Sequence, residues 1–453
     1  MLLVCSLALV SVTLALLGTV GATLVLLAAV GLAGMVALVA YPFSGAIVLT
    51  ILYPMVEFEW RGLPLTKIYA LLLLGLLTLR FIVQEARSTV PTQLRFPLLL
   101  PFLALIAACL LSALSSTEPV LTVVRVLLQP GMMYVAVVVA YNMITTGRQG
   151  MVVLGVMLAM GAISALLGWL NYFQGNFQQV SSFFPRVTPP AYLGGTHVSL
   201  ASLLTAMAPI ALSLAILVRR PWLRLLLIAL NGLFAVTVVF TLSRAGWVCL
   251  ALQLAVWVWL FRRHVWLVIL ALVGAAGAAL VALPLMLELL GSNVRASSDV
   301  ARDYLSELGL RLFLEQPLLG VGFGMFTSYN HVVFDSSFWP PRALDAHGML
   351  YKVLSETGIV GLLAVGALLV GIGWRLFDAV QKVSYNQRWR LVLLGCLISF
   401  AVSTIFELTS TRFYSLQYWF PIGVYLALSR VALSEFATAR EQMPEEGAET
   451  VQP

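Results

Sequence analysis

The residues best suited to chemistry gather between Arg295 and Gly361, the longest polar interval of an otherwise apolar chain. His331 and His347 lie there, two of only four histidines, together with Arg311, Asp345 and Trp339. His347 stands in the run Asp345-Ala346-His347-Gly348, at the start of an expected helix. The positive end of a helix lowers an imidazole's pKa, and a neutral imidazole can act as a general base. Asp345 works against that shift, so the sequence alone gives no sign for the net effect. A lone histidine is more often structural than catalytic. Here the nearby aromatics Phe338 and Trp339 and the surrounding arginines favour the catalytic reading.

Arginines supply the second kind of chemistry. Ser297-Ser298-Asp299 can cap a helix running to about Glu315 and stopping before Pro317. At 3.6 residues per turn Arg311 shares a face with Val300, Tyr304 and Leu308. A cation on an apolar stripe is either a snorkelling or salt-bridged side chain, or an anion ligand at a membrane mouth. Arg244, in Ser243-Arg244-Ala245-Gly246-Trp247, interrupts an apolar hairpin, and a cation at such a boundary is a functional candidate. Arg186 lies in a further polar loop. Guanidinium groups grip phosphate oxygens in pairs, so these three on one face would suit a diphosphate.

Other chemistries are poorly supported. Gly320-Val321-Gly322-Phe323-Gly324 is not a GxGxxG nucleotide loop and reads as a tight turn. The histidines at 197, 264, 331 and 347 are scattered without HExxH or DxD spacing, so neither a metal nor a cofactor is expected. No GxSxG and no cysteine–histidine pairing suggests a covalent nucleophile. Cys5, Cys109, Cys249 and Cys396 sit in apolar runs as small packing residues.

The elements that must position these residues are membrane helices. The chain is 61% hydrophobic and only 10% charged, against about 25% charged in soluble domains. Continuous apolar runs without period-2 alternation point to an all-α polytopic protein with about 12–14 transmembrane helices, and disfavour a barrel. Spans are expected near 2–18, 21–40, 44–57, 66–84, 96–115, 125–143, 150–171, 197–218, 223–241, 245–262 and 264–290. Three more follow the polar interval, near 357–376, 389–408 and 412–432. No cleavable signal is expected, since the first cationic residue is Arg61.

Charge gives the orientation. Short basic loops carry Arg87 and Arg95, Arg148, Arg219 with Arg220 and Arg224, Arg262 with Arg263, and Arg375, Lys382, Arg388 and Arg390. The positive-inside rule assigns them to the cytoplasm, with both termini, and sends 172–196 and 291–356 outward. This bias explains most of the net charge of +7, which is no argument for nucleic acid. The chain divides into N-terminal membrane helices over 1–290, a large outer catalytic loop over 291–356, C-terminal membrane helices over 357–433 and a polar, disordered tail over 434–453.

Three stretches then resemble a known family. They are Ser243–Trp247, Arg311–Gly324 and Asp345–Gly361, in that order and on one expected face. Together they are similar to the O-antigen ligase and O-antigen polymerase superfamily of bacterial inner membranes, over about 185–361. That resemblance implies a metal-independent glycosyltransferase of the membrane-embedded type, using a glycan on undecaprenyl diphosphate as donor. It implies that Arg244 and Arg311 hold the diphosphate, with Arg186 as a further contributor, and that His347 activates the acceptor hydroxyl at the periplasmic face. Asp345 and Trp339 are possible supporting residues. Gly348 departs from the Asn or Ser that the family often has there.

The acceptor stays open between lipid A–core for a ligase and a growing lipid-linked glycan for a polymerase, with a protein acceptor as a third case. A lipid-linked glycan flippase or transporter is the rival from another class. It would need charge deep along a central path, whereas the charges here concentrate at the outer face and in the cytoplasmic loops. A rod-shape-type peptidoglycan polymerase would make Asp345, not His347, the key residue.

Overall fold

Apolar runs this long leave the backbone no partner in lipid but itself, and they fold as helices. The computed structural model describes residues 41–55, 59–60, 63–87, 94–175, 178–179, 185–190, 193, 196–260, 262, 293–330, 333–336, 339–343, 345–410 and 412–441. Its helices are α1 (Pro42–Leu52), α2 (Leu65–Arg87), α3 (Leu99–Leu111), α4 (Pro119–Val126), α5 (Met132–Met143), α6 (Gly147–Phe173), α7 (His197–Leu217), α8 (Pro221–Phe240), α9 (Arg244–Leu260), α10 (Asn293–Glu315), α11 (Phe326–Tyr329), α12 (Met349–Lys382), α13 (Gln387–Glu407) and α14 (Leu416–Glu441). Strands occur only as three two-stranded antiparallel hairpins among the described residues: Glu59–Trp60 with Leu63–Pro64, Gln178–Gln179 with Pro185–Arg186, and Val333–Ser336 with Trp339–Ala343.

The protein is a multi-pass, all-helical membrane protein. Among the described residues, seven helices are long and apolar enough to cross a bilayer: Pro119–Met143, Gly147–Phe173, His197–Leu217, Pro221–Phe240, Met349–Lys382, Gln387–Glu407 and Leu416–Thr438. Phe43–Leu52, Leu99–Leu114 and Arg244–Leu260 are shorter apolar helices. The expected spans at 2–18, 21–40 and 264–290 lie outside the described residues. Two boundaries move. The span expected at 357–376 belongs to a helix beginning at Met349, and α14 continues past the expected limit at 433 to Glu441.

Helix α7 is the centre, packed against α8, α6 and α13. Its buried positions run right round the helix and include Ala201, Ala206, Ala208, Ala211 and Ala215. Small residues let backbones approach in the absence of a hydrophobic drive between helices. Helix α14 packs on α5, and α12 lies between α3 and α10.

Polar contacts tie each end of the bundle. At one end Trp389 Nε1 donates to Glu435 Oε2 at 2.8 Å, and Arg430 donates to the Ile144 carbonyl at 2.6 Å. The Thr146–Gln149 capping box starts α6 at that end, and the turns with Arg219, Arg220, Lys382 and Arg388 follow from the helix directions. The opposite end gathers the starts of α7, α9, α12 and α14 and the ends of α6, α8 and α13. The polar residues of interest collect there.

Candidate functional site

Each functional side chain is held by local chemistry. The Ser243–Trp247 run is a helix start. The Ser243 carbonyl accepts from Trp247 N at 3.0 Å, and its hydroxyl accepts from Gly246 N at 3.3 Å. Trp247 Nε1 reaches back to the Val239 carbonyl at 3.1 Å, locking α9 to α8. A side-chain carbon at Gly246 would come within 2.8 Å of Val238 and 3.3 Å of Ala201, so only glycine allows this approach. Arg244 is thereby fixed at the first turn of α9, and it is exposed.

Arg186 sits in the hairpin strand opposite Gln178, and Val187 N donates to the Phe240 carbonyl at 3.0 Å, anchoring that strand beside the α8–α9 turn. Arg186 Nη1 lies 3.3 Å from His197 Nε2. His197 opens α7 just after the cap Thr196, whose hydroxyl accepts from Ser199 N at 3.1 Å. Arg412, between α13 and α14, reaches the same cap: Nη2 donates to Thr196 Oγ1 at 2.9 Å and to Ser199 Oγ, and Nη1 donates to Gln417 Oε1 at 3.0 Å. Glu407 holds the Arg412 backbone through a 2.9 Å bond. Around His197 stand the charges of Arg186, Arg302 and Arg412.

His347 is half-buried just before α12. Burial, with the charges of Arg302 and then Arg244, pushes its imidazole down to about 4. Sequence left that sign open because of Asp345. In the structure Asp345 is already engaged, since Oδ1 accepts from Ala346 N at 2.8 Å and Oδ2 accepts from the buried Lys352 ammonium. The imidazole therefore feels arginines rather than a free carboxylate.

Arg302 thus faces both histidines, and it lies on α10 with Arg311. The two are on different faces. Leu305, Gly309 and Leu312 form the packed side, while Val300, Tyr304 and Arg311 lie on the exposed one. Arg311 Nε pairs with Glu315 at 3.1 Å with the arginine side chain 76% exposed. The expected apolar stripe is real but turns outward, because α10 packs through its small and branched positions against α12. The helix also begins at Asn293, so Ser297, Ser298 and Asp299 lie inside it and do not cap it. Trp339 lies in the strand Trp339–Ala343. His331 lies outside the described residues.

Sequence reasoning missed Arg302, Arg412 and the placement of His197. The signal for Arg412 was available: it is a lone cation between two apolar runs, as Arg244 is. Arg302 could have been found from the 3-4-3 spacing it makes with Leu305, Gly309 and Leu312. Among the described residues no cluster of three or more His, Cys, Asp or Glu side chains could hold a metal ion.

Fold and site together define a polytopic helical membrane protein with an arginine- and histidine-rich site at one end of its bundle. Residues 229–366 match the O-antigen ligase family, so the chain carries an O-antigen ligase domain from α8 into α12. No curated protein matches the chain. Arg244, Arg302, Arg311 and His347 fall inside the matched segment, whereas Arg186, His197 and Arg412 fall outside it.

Proposed function

We propose that the protein transfers a glycan from undecaprenyl diphosphate to an acceptor hydroxyl on the periplasmic face of the bacterial inner membrane, in the manner of an O-antigen ligase. The observation carrying this is His347, held neutral by burial beside Arg302 and Arg244. A base and an anion site thus adjoin at one end of an apolar bundle. The polyprenyl tail stays in lipid, and the diphosphate meets Arg244, Arg302, Arg186 and Arg412. Arg311 contributes from the exposed rim.

In the reaction His347 takes the proton of the acceptor hydroxyl as its oxygen bonds to the anomeric carbon. The bond from that carbon to the diphosphate oxygen breaks, and undecaprenyl diphosphate leaves with the electron pair. Fixed guanidinium groups stabilise the charge developing on it, and no metal is required. Free enzyme with an imidazole at about 4 is a weak base. A bound diphosphate offsets the positive field of Arg302 and Arg244 and raises the imidazole's basicity once the donor is in place. Asp345 is the weaker base candidate, since both its oxygens already accept hydrogen bonds.

Reconstitution with a lipid-linked glycan and separated acceptors tests the proposal. Transfer to lipid A–core is expected. Extension of the lipid-linked glycan alone would identify a repeat-unit polymerase. Movement of the donor across the bilayer with no transfer to any acceptor would overturn the proposal in favour of a flippase.

A further inference from the structure

A chain of charged groups, two of them buried, begins at Asp345, two residues before His347, and takes no part in the transfer step. Lys352, one turn into α12, is almost fully buried, and its ammonium donates to Asp345 Oδ2. It also lies 3.7 Å from Glu356 Oε1, whose side chain is 1% exposed. Glu356 accepts from Phe326 N at 3.3 Å and from the Gly324 backbone. Arg125, from α4, donates to the Gly324 carbonyl and adds its charge near Lys352. The Tyr414 ring lies 5.8 Å from the Lys352 ammonium. Two cations and two carboxylates thus join three separate segments: the turn bearing His347, the Gly320–Phe326 loop and α4.

The backbone around them leaves little slack. Gly348, immediately after His347, has φ +100°, and a side-chain carbon there would come within 2.5 Å of the Leu408 carbonyl oxygen. Val321 N donates to the Ser355 carbonyl at 2.8 Å, and Ile359 N to the Pro317 carbonyl at 2.9 Å. The Gly320 loop is thereby stitched to α12 on both sides of its non-helical residue Gly358. A buried lysine is costly unless paired, and removing one partner of such a pair leaves an uncompensated charge. Lys352 and Glu356 are such a buried pair, and with the half-buried Asp345 and Arg125 they form an organised element adjoining the His347 turn.

From these contacts we infer that Lys352 is a positioning residue for His347, holding the His347 turn through Asp345 and the Gly320–Phe326 loop through Glu356. It acts through other groups and touches no substrate. The inference rests on His347 being the base. Its specific consequence is a fault in kcat rather than in donor binding, because the arginines that hold the diphosphate lie on other elements.

The test uses the full-length protein in lipid nanodiscs, with a lipid-linked glycan as donor. Lys352→Gln should lower kcat by roughly 10–100-fold and leave the donor KM within about twofold, in keeping with a displaced base. Lys352→Arg, which keeps the cation, should recover most of that loss. Equal kcat for wild type and Lys352→Gln would overturn the inference. So would a fall in kcat that tracks only the folded fraction and comes with weakened donor binding. Should Lys352→Gln fail to fold, Lys352→Gln with Asp345→Asn removes one charge of each sign. Wild-type kcat in that folded double variant would equally overturn the inference. His347→Ala is measured alongside. If it remains active, the base assignment fails whatever Lys352 does. If it is inactive while Lys352→Gln is normal, only the positioning role falls.

Discussion

His347 and Arg302 are coupled by charge repulsion, and their variants should separate base from field. His347→Ala should fold and still bind the donor, yet lose about 10²–10⁴-fold in transfer rate, the usual worth of a positioned base. Arg302→Gln removes the larger of the two charges that hold the imidazole down. The imidazole pKa then rises toward its ordinary value, and a base that must be neutral loses activity as pH falls through that pKa. The acid limb of kcat/KM should therefore move to higher pH in Arg302→Gln, read from the shape of the profile. In the wild type the acid limb of kcat should lie above that of kcat/KM, because bound diphosphate offsets the arginines. Arg311 gives the contrast. Its exposed pair with Glu315 contributes only about 0.3–0.5 kcal/mol, and Arg311→Ala should impair transfer far less than Arg302→Ala.

At the scale of elements, the site depends on how closely helix ends approach. Gly246 brings α9 against α8 and α7, and Gly348 passes under the Leu408 carbonyl. Gly246→Leu would drive a branched side chain into Val238 and Ala201 in a packed interior, a change that costs about 1–3 kcal/mol. Its thermal unfolding in detergent should fall by several degrees, and donor binding should weaken as Arg244 shifts. Gly348→Ala should cut kcat more than it cuts donor affinity, since it disturbs the turn of His347 and leaves α9 in place. These motif residues were visible in the sequence, but their reasons were not. The sequence shows a glycine after a histidine; only the Leu408 carbonyl above it explains why a side chain cannot stand there.

For the whole molecule, the polar site and the short basic turns occupy opposite ends of the bundle. The positive-inside rule predicts that the site end faces the periplasm. In a Cys5→Ser background, cysteines placed at the exposed positions Gln316 and Gln381 give a direct check, because Cys109, Cys249 and Cys396 are buried. Gln316→Cys should react with a membrane-impermeant maleimide added to spheroplasts, and Gln381→Cys should react only after the membrane is opened. Reaction of Gln381→Cys in intact spheroplasts, with Gln316→Cys reacting only after opening, would invert the orientation and remove the periplasmic assignment. Chelation should leave transfer unchanged. A loss of activity on chelation, restored by a divalent cation, would contradict the metal-independent step.

The sequence by itself determined the class of the molecule and the runs that form its seven long apolar helices among the described residues, and it singled out His347, Arg244 and Arg186 as candidates. Hydropathy and isolated charges act locally: an apolar run of some twenty residues has one low-energy course through a bilayer, and a cation inside it needs a reason to be there. The tertiary structure decided which cations share a site. Arg302 and Arg311 are nine residues apart on one helix, and only the packing of α10 against α12 turned one inward and the other out. Arg412 reached His197 from more than two hundred residues away because α14 returns its start to the end where α7 begins. Nothing in the sequence sets Lys352 apart; the fold brings Asp345, Glu356 and Arg125 around it. Electrostatic fields depend on distance in space and on burial, and neither quantity exists until the helices have packed.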